Sequence, residues 1–317
     1  PGLAGGRAGA PPCSALSSHG WPGYPDSVRP GGHLHVAHAC ATGREARRRR
    51  PTGGARHGAL VGGAWLLGAL LLGALSLGGL AWAQAAEFAQ MEALLAQGYY
   101  NSAARLNGPE LVARFPDEGR AHFLFARALY LTGDLERAAS ALDRAIALEG
   151  DADPAIVNLQ GLLRAATGDP VGALRALQNA FLRSRDYRFA MDWGRVAWQA
   201  GRYDEAIAAF DAAADTERGR AELWPYVDKG RLLMYAGRLD EAIASFNAAI
   251  DVFEATDPGE ARPGSPAYVE AYYRLGEVYE LLGEVDRAEV NYRAARSADP
   301  NYGPAIQALD RLSRSFE

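Results

Sequence analysis

From residue 84 to residue 317 the chain contains no cysteine and a single histidine, His122; Cys13, Cys40 and the other histidines all lie earlier. That scarcity excludes a disulfide framework, a thiolate zinc site, a cysteine nucleophile and a multi-histidine metal centre from this part. Lysine is scarcer still, Lys229 being the only one, which reads as the arginine bias of a GC-rich genome. There is no phosphate-cradling glycine loop followed by Lys-Ser/Thr, no nucleophile elbow and no His-Glu-x-x-His. No catalytic residue, cofactor or metal is therefore expected, and the chain does not read as an enzyme. Charge is unevenly divided. Of 33 Lys+Arg and 38 Asp+Glu, residues 1–83 hold eight arginines against Asp26 and Glu45, so residues 84–317 keep 25 basic and 36 acidic groups, a net of −11. A nucleic-acid binder would show a clustered basic face instead.

The first 57 residues are rich in Gly, Pro, Ala, Arg and His and lack any apolar period. They cannot bury enough surface to offset ordering entropy, so residues 1–57 are expected to be a disordered leader. Because the first methionine is Met91, that leader need not belong to the native product. Arg47-Arg48-Arg49-Arg50 and Arg56 then precede an uncharged stretch, Gly58 to Ala83. A positive segment before an apolar one is the pattern of a signal peptide, and Ala81-Trp82-Ala83 and Ala83-Gln84-Ala85 both offer the small-x-small site a signal peptidase cuts. The stretch is also long enough to span a bilayer as an N-terminal anchor. Either way the positive-inside rule sends the acidic bulk across the membrane, to the periplasm or outside, with anchoring in the inner membrane as the alternative to cleavage.

Self-similarity organises the remainder. A glycine followed five residues later by alanine recurs as Gly133 with Ala138, Gly168 with Ala173, Gly201 with Ala206, Gly237 with Ala242 and Gly283 with Ala288, with Gly98 and Ala103 a weaker first copy. Seven residues before each of the last five glycines stands another small residue: Ala126, Gly161, Gly194, Gly230 or Gly276. The physics is that of an antiparallel helix pair, with glycine accepting positive φ where the first helix stops and small residues permitting close approach. Leu142, Leu177, Phe210, Phe246 and Tyr292, four residues after each turn alanine, are expected to fill the space between neighbouring pairs. One pair cannot bury its apolar faces alone, whereas stacked pairs can, which gives an all-α, right-handed α-solenoid.

The phrasing resembles the tetratricopeptide repeat family. Tyr272, Leu275-Gly276, Tyr279, Gly283, Ala288, Tyr292, Ala295 and Pro300 follow its pattern throughout. Trp193-Gly194, Gly201, Ala206, Phe210 and Ala213 repeat much of it, as do Tyr226, Gly230, Gly237, Ala242, Phe246 and Ala249. The resemblance implies about six helix-turn-helix repeats, at about 84–118, 119–153, 154–186, 187–222, 223–268 and 269–302. Residues 303–317 then read as a capping helix, with Ile306, Leu309 and Leu312 covering the last repeat. Asn107-Gly108-Pro109 is expected to interrupt the second helix of the first copy, and Glu254 to Pro266 to form an exposed loop.

The resemblance also implies which first-helix positions line the concave groove where a partner would bind. They are Arg120, Phe123, Arg127, Tyr130 and Leu131 in the second copy, and Ala155, Asn158, Leu162, Ala165 and Ala166 in the third. The fourth gives Arg188, Met191, Arg195, Trp198 and Gln199, the fifth Trp224, Val227, Arg231, Met234 and Tyr235, and the sixth Glu270, Tyr273, Glu277, Glu280 and Leu281. In copies two, four and five this register holds five arginines and five large aromatics and no acid. Arg127, Arg195 and Arg231 share the ninth position and are expected to form one basic row flanked by Tyr130, Trp198 and Tyr235, carrying little inter-repeat packing. A basic groove on an acidic protein points to a partner protein bearing an acidic or C-terminal carboxylate segment. The implied function is a non-catalytic interaction scaffold of the cell envelope; the alternative is an accessory subunit recruiting an envelope enzyme of peptidoglycan or polysaccharide metabolism. His122 and the acidic pairs Asp204-Glu205 and Asp240-Glu241 read as structural, the histidine packed between paired helices and the acids at helix starts.

Overall fold

The computed structural model describes residues 84–256 and 265–314. The leader, the apolar stretch 58–83 and most of the 254–266 insertion therefore lie outside the described residues. Among those described, all regular structure is helical: α1 (84–96), α2 (Tyr100–Ser102), a π turn (Ala103–Asn107), α3 (Gly108–Arg114), α4 (Gly119–Thr132), α5 (Leu135–Glu149), α6 (Pro154–Ala166), α7 (Pro170–Ser184), α8 (Tyr187–Gln199) and α9 (Tyr203–Ala214). A 3-10 turn (Gly219–Ala221) leads to α10 (Trp224–Tyr235), α11 (Leu239–Thr256), α12 (Pro266–Leu281), α13 (Val285–Ala298) and α14 (Gly303–Arg314). Consecutive helices pack in antiparallel pairs, α4 on α5 through α12 on α13, and each pair packs on the next, producing an α-solenoid.

Local chemistry explains the boundaries. Asp134, Asp153, Asp169 and Asp186 each accept a hydrogen bond from a first-turn backbone N–H, at the starts of α5, α6, α7 and α8. Proline occupies the first turn of α6, α7, α10 and α12, where its missing N–H costs nothing. At the end of α8, Gly201 takes φ 72°, while its own N–H bonds to the Trp198 carbonyl and that of Arg202 reaches back to Ala197 at 2.8 Å. A side chain there would be strained, which is why the turn residue recurs as glycine.

The second small position answers to a large one. A Cβ on Gly194 would lie 2.6 Å from the Phe210 ring, and one on Gly230 at the same distance from Phe246. These large residues thus pack first against the small residue of their own pair, and the expectation that they fill the space between neighbouring pairs needs that correction. The space between pairs is filled by residues such as Leu232 of α10, which joins the cluster of Phe210, Met191 and Trp193.

Two boundary expectations also change. Asn107-Gly108-Pro109 does not interrupt its helix: one wide π turn absorbs the sequence, and α3 continues with Pro109 in its first turn and Gly108 beneath the Phe125 ring. The 254–266 segment is helical at both margins, since α11 runs to Thr256 and α12 starts at Pro266. Those margins are tied together by stacking of Phe253 on Tyr268 at 4.0 Å and by the Tyr268 and Tyr272 hydroxyls, each 3.3 Å from Glu254. Helix α14 rests on α13 with Ala305, Ala308 and Leu312 buried and Ile306 and Leu309 partly so, two alanines joining the expected residues. No helix among the described residues is long and apolar enough to cross a membrane.

Candidate partner-binding groove

The first helices α4, α6, α8, α10 and α12 carry the residues assigned to the groove, and the structure divides those residues into three environments. Arg120 and Phe123 lie at the start of α4 in an open cavity of about 630 Å³ that they share with Phe88, Glu92, Glu118, Glu149 and Asp153. There Arg120 donates to Glu92 at 2.6 Å, its backbone N–H donates to Glu149 at 2.9 Å, and its guanidinium lies over the Phe88 ring. The local surface is acidic, not basic.

Arg195 and Arg231 belong to a second environment, and the expected basic row is overturned there. Arg195 donates through Nε and Nη2 to Asp228 Oδ2 at 3.1 and 2.9 Å, and Arg231 donates to Asp228 Oδ1 at 3.3 Å. Asp228 is 1% exposed and the two guanidinium side chains only 18% and 12%, so the three form an ionic triad around a buried carboxylate. Beyond it Arg231 approaches Glu270 at 4.0 Å, and Glu270 accepts from Arg274 at 2.8 Å and from the Tyr302 hydroxyl at 2.6 Å. Arg274 in turn donates to Glu277 at 2.6 Å. Burial alone would lower the Arg274 guanidinium; Glu270 and Glu277 outweigh it and hold it above its ordinary value. A ladder of alternating charge therefore runs from α8 through α10 and α12 to the loop before α14. Replacing Arg195 and Arg231 would disturb inter-repeat packing, contrary to the expectation that groove side chains carry little of it.

The acids were hidden by the register. Asp192 and Asp228 occupy the sixth position of their repeats, beside the groove positions implied by the resemblance and not among them. A signal was nonetheless present: Asp192-x-x-Arg195 and Asp228-x-x-Arg231 repeat one phrase, and three residues on a helix share a face.

The third environment spans α4, α6 and the start of α8. Arg188 is held by Asp186, the residue that caps its own helix, at 3.1 and 2.6 Å, and this hydrogen bonding draws the Asp186 carboxyl below its ordinary value. Asn158 is 6% exposed and donates through Nδ2 to Asp192 Oδ2 at 2.8 Å. Burial raises the Asp192 carboxyl, against the opposing pull of Asn158 and of Arg195, Arg127 and Arg188. Tyr130, also enclosed and near Asp192, is pushed up to about 12. Arg127 is reached by solvent yet crowded by protein atoms; that crowding and the facing Arg188 lower its guanidinium, while Asp192 acts the other way.

The aromatics do not line one row either. The Trp198 ring lies under Arg231, with the guanidinium 5.7 Å from its centroid. Trp224 is partly buried between two core clusters. Tyr235 meets Tyr203 of α9 edge-on at 5.9 Å, drawn to the second helix of the preceding repeat. His122 is buried, with Nε2 2.9 Å from the Pro116 carbonyl. Asp204-Glu205 and Asp240-Glu241 stand in the first turns of α9 and α11, and Glu205 accepts from the Trp193 indole at 3.0 Å.

Comparison with known proteins agrees with this architecture. Residues 88–155, 158–221 and 227–303 match the model of the tetratricopeptide repeat family. No curated protein matches the chain. Among solved structures, PilW, a widely conserved type IV pilus biogenesis factor, is similar at 14% identity over 72% of this chain and 98% of its own, with a TM-score of 0.57. Pseudomonas aeruginosa pilF is similar at 16% identity over 74% of this chain and 99% of its own, with a TM-score of 0.52. YrrB, a TPR protein with an unusual peptide-binding site, is 20% identical over 63% of this chain and 96% of its own, with a TM-score of 0.44. At these identities the likenesses to PilW and pilF concern the fold. Proteins with such repeats generally mediate protein–protein interactions, and the fold is typically a non-catalytic scaffold. The three matched stretches cover most of the chain, and it belongs to the tetratricopeptide repeat family.

Proposed function

We propose that this protein is a non-catalytic scaffold of the cell envelope that holds a partner polypeptide along the inner face of its solenoid. The observation that supports the binding role is the concentration of polar and aromatic groups on the first helices, where Arg127, Tyr130, Arg188, Trp198 and Tyr235 all stand. The envelope location is supported by Arg47 to Arg50 and Arg56 preceding the uncharged stretch 58–83.

Both parts have a direct test. Cell fractionation with N-terminal sequencing should recover the protein outside the cytosol, starting at Gln84 or Ala86 or else retained in the membrane with the apolar stretch intact; cytosolic protein still carrying Gly58 to Ala83 would refute export. For binding, a photo-crosslinking residue placed at Gln199, on the groove register, should yield a discrete polypeptide adduct in cells. The same residue at Val290, 65% exposed on the second helix α13, should not. Adducts from Val290 and none from Gln199 would move the interface off the inner face.

A further inference from the structure

The pairing that opens the charge ladder is not repeated one step earlier in the chain. Arg195, ninth in its repeat, is answered by Asp228, sixth in the next. In the register of that one pair, position 159 would answer Arg127 and position 162 would answer Asp192, and the third repeat places Leu159 and Leu162 there. Among the described residues neither Arg127 nor Asp192 has an ion pair. Asn158 only half repairs the gap, because its Nδ2 goes to Asp192 and its buried Oδ1 has no donor. With Asp192 ionised, turning the amide over would set its oxygen against the carboxylate. A buried acceptor without a donor is costly and rare in a folded protein. The third repeat thus leaves an exposed cation, Arg127, and an orphaned acceptor, Asn158 Oδ1, both in the neighbourhood of Asp192.

We propose that this break is the specificity subsite of the groove, and that it takes an internal aspartate or glutamate of an extended partner segment. The carboxylate pairs with Arg127, and a backbone N–H of the same segment donates to Asn158 Oδ1. The deduction rests on the groove reading above and narrows it. Charge favours a carboxylate over a phosphate: Arg127 offers a single cation without an ion pair, and Asp192 nearby disfavours a doubly negative group. Position favours an internal residue over a chain end, because the break lies between the second and fourth of six repeats and a bound segment continues past it on both sides.

The test pans the full chain against synthetic random peptides that are N-acetylated and end in a primary amide, with a matched library ending in free carboxylates. The expected result is enrichment of Asp or Glu at one internal position in the amide-ended library. Arg127→Gln, a change at an exposed side chain, should weaken those peptides about 10- to 100-fold, while Arg137→Gln on α5 leaves them unchanged. An ester in place of the backbone N–H at the selected position should cost about 3- to 10-fold. Equal binding of the ester would overturn the role of Asn158. Enrichment confined to free-carboxylate ends would assign the site to a chain terminus and overturn the proposal. Peptides that bind the inner face without acid selection would sink this subsite alone, and no binding peptide at all would sink the groove reading with it.

Discussion

Arg195 on α8 and Asp228 on α10 stand 33 residues apart and are joined by two hydrogen bonds of 3.1 and 2.9 Å, so that two consecutive repeats share one buried carboxylate. Arg231 completes the triad from the same helix as the acid. Asp228→Asn would leave two guanidiniums facing each other with only a neutral amide between them. Breaking such a pair from one side costs about 3 kcal/mol, at the low end of the usual range because both arginines retain some contact with water. Chemical denaturation should show this loss, and Arg195→Gln in the same background should cost much less than it does alone. Additive losses would mean that the pair is not coupled.

The contact of Gly194 with Phe210 sets the distance between α8 and α9. Gly194→Ala, whose new methyl would lie 2.6 Å from the ring, should destabilise the chain by about 1–3 kcal/mol, and Phe210→Leu should recover part of that loss in the double variant. Unchanged thermal melting of Gly194→Ala would show that the pair can separate without penalty.

Tyr302 ties the loop before α14 to the buried Glu270 with a 2.6 Å hydrogen bond. Tyr302→Phe leaves that carboxylate oxygen without its donor, at a cost of about 1–3 kcal/mol. Because α14 packs chiefly on α13 and is held by few such ties, hydrogen exchange should quicken first in residues 303–314. A uniform change along the solenoid would refute a local role.

Asp192 supplies a pH signature. Burial raises its carboxyl above the ordinary value, so the folded chain binds a proton more readily than the unfolded one. Its contribution is most favourable at low pH and declines as pH rises from the ordinary carboxylate range to the folded-state value, then levels off. Asp192→Asn should remove this decline, so the variant gains on the native chain as pH is raised from about 4 to 7. A constant difference across that interval would mean the carboxyl is not perturbed by burial.

The repeat unit was legible in the sequence because its determinants are local. Gly201 marks the turn through its own φ, and Gly194 and Phe210 face each other at a fixed offset along one helix pair, so spacing alone locates them. Even the large residues were misassigned only in which side of the pair they fill. The electrostatics of the inner face were not legible, because charge pairing is decided between helices. Whether Arg195 is a free cation or half of a buried pair depends on the stacking that brings position 228 within 3 Å of it. The phrase Asp-x-x-Arg was visible in both repeats, but only the pitch of the solenoid determines that Arg195 reaches the acid of the next repeat. By the same reasoning Leu159 and Leu162 look like ordinary apolar residues in the sequence, and become a gap in a charge ladder only when their helix is set between Arg127 and Asp192.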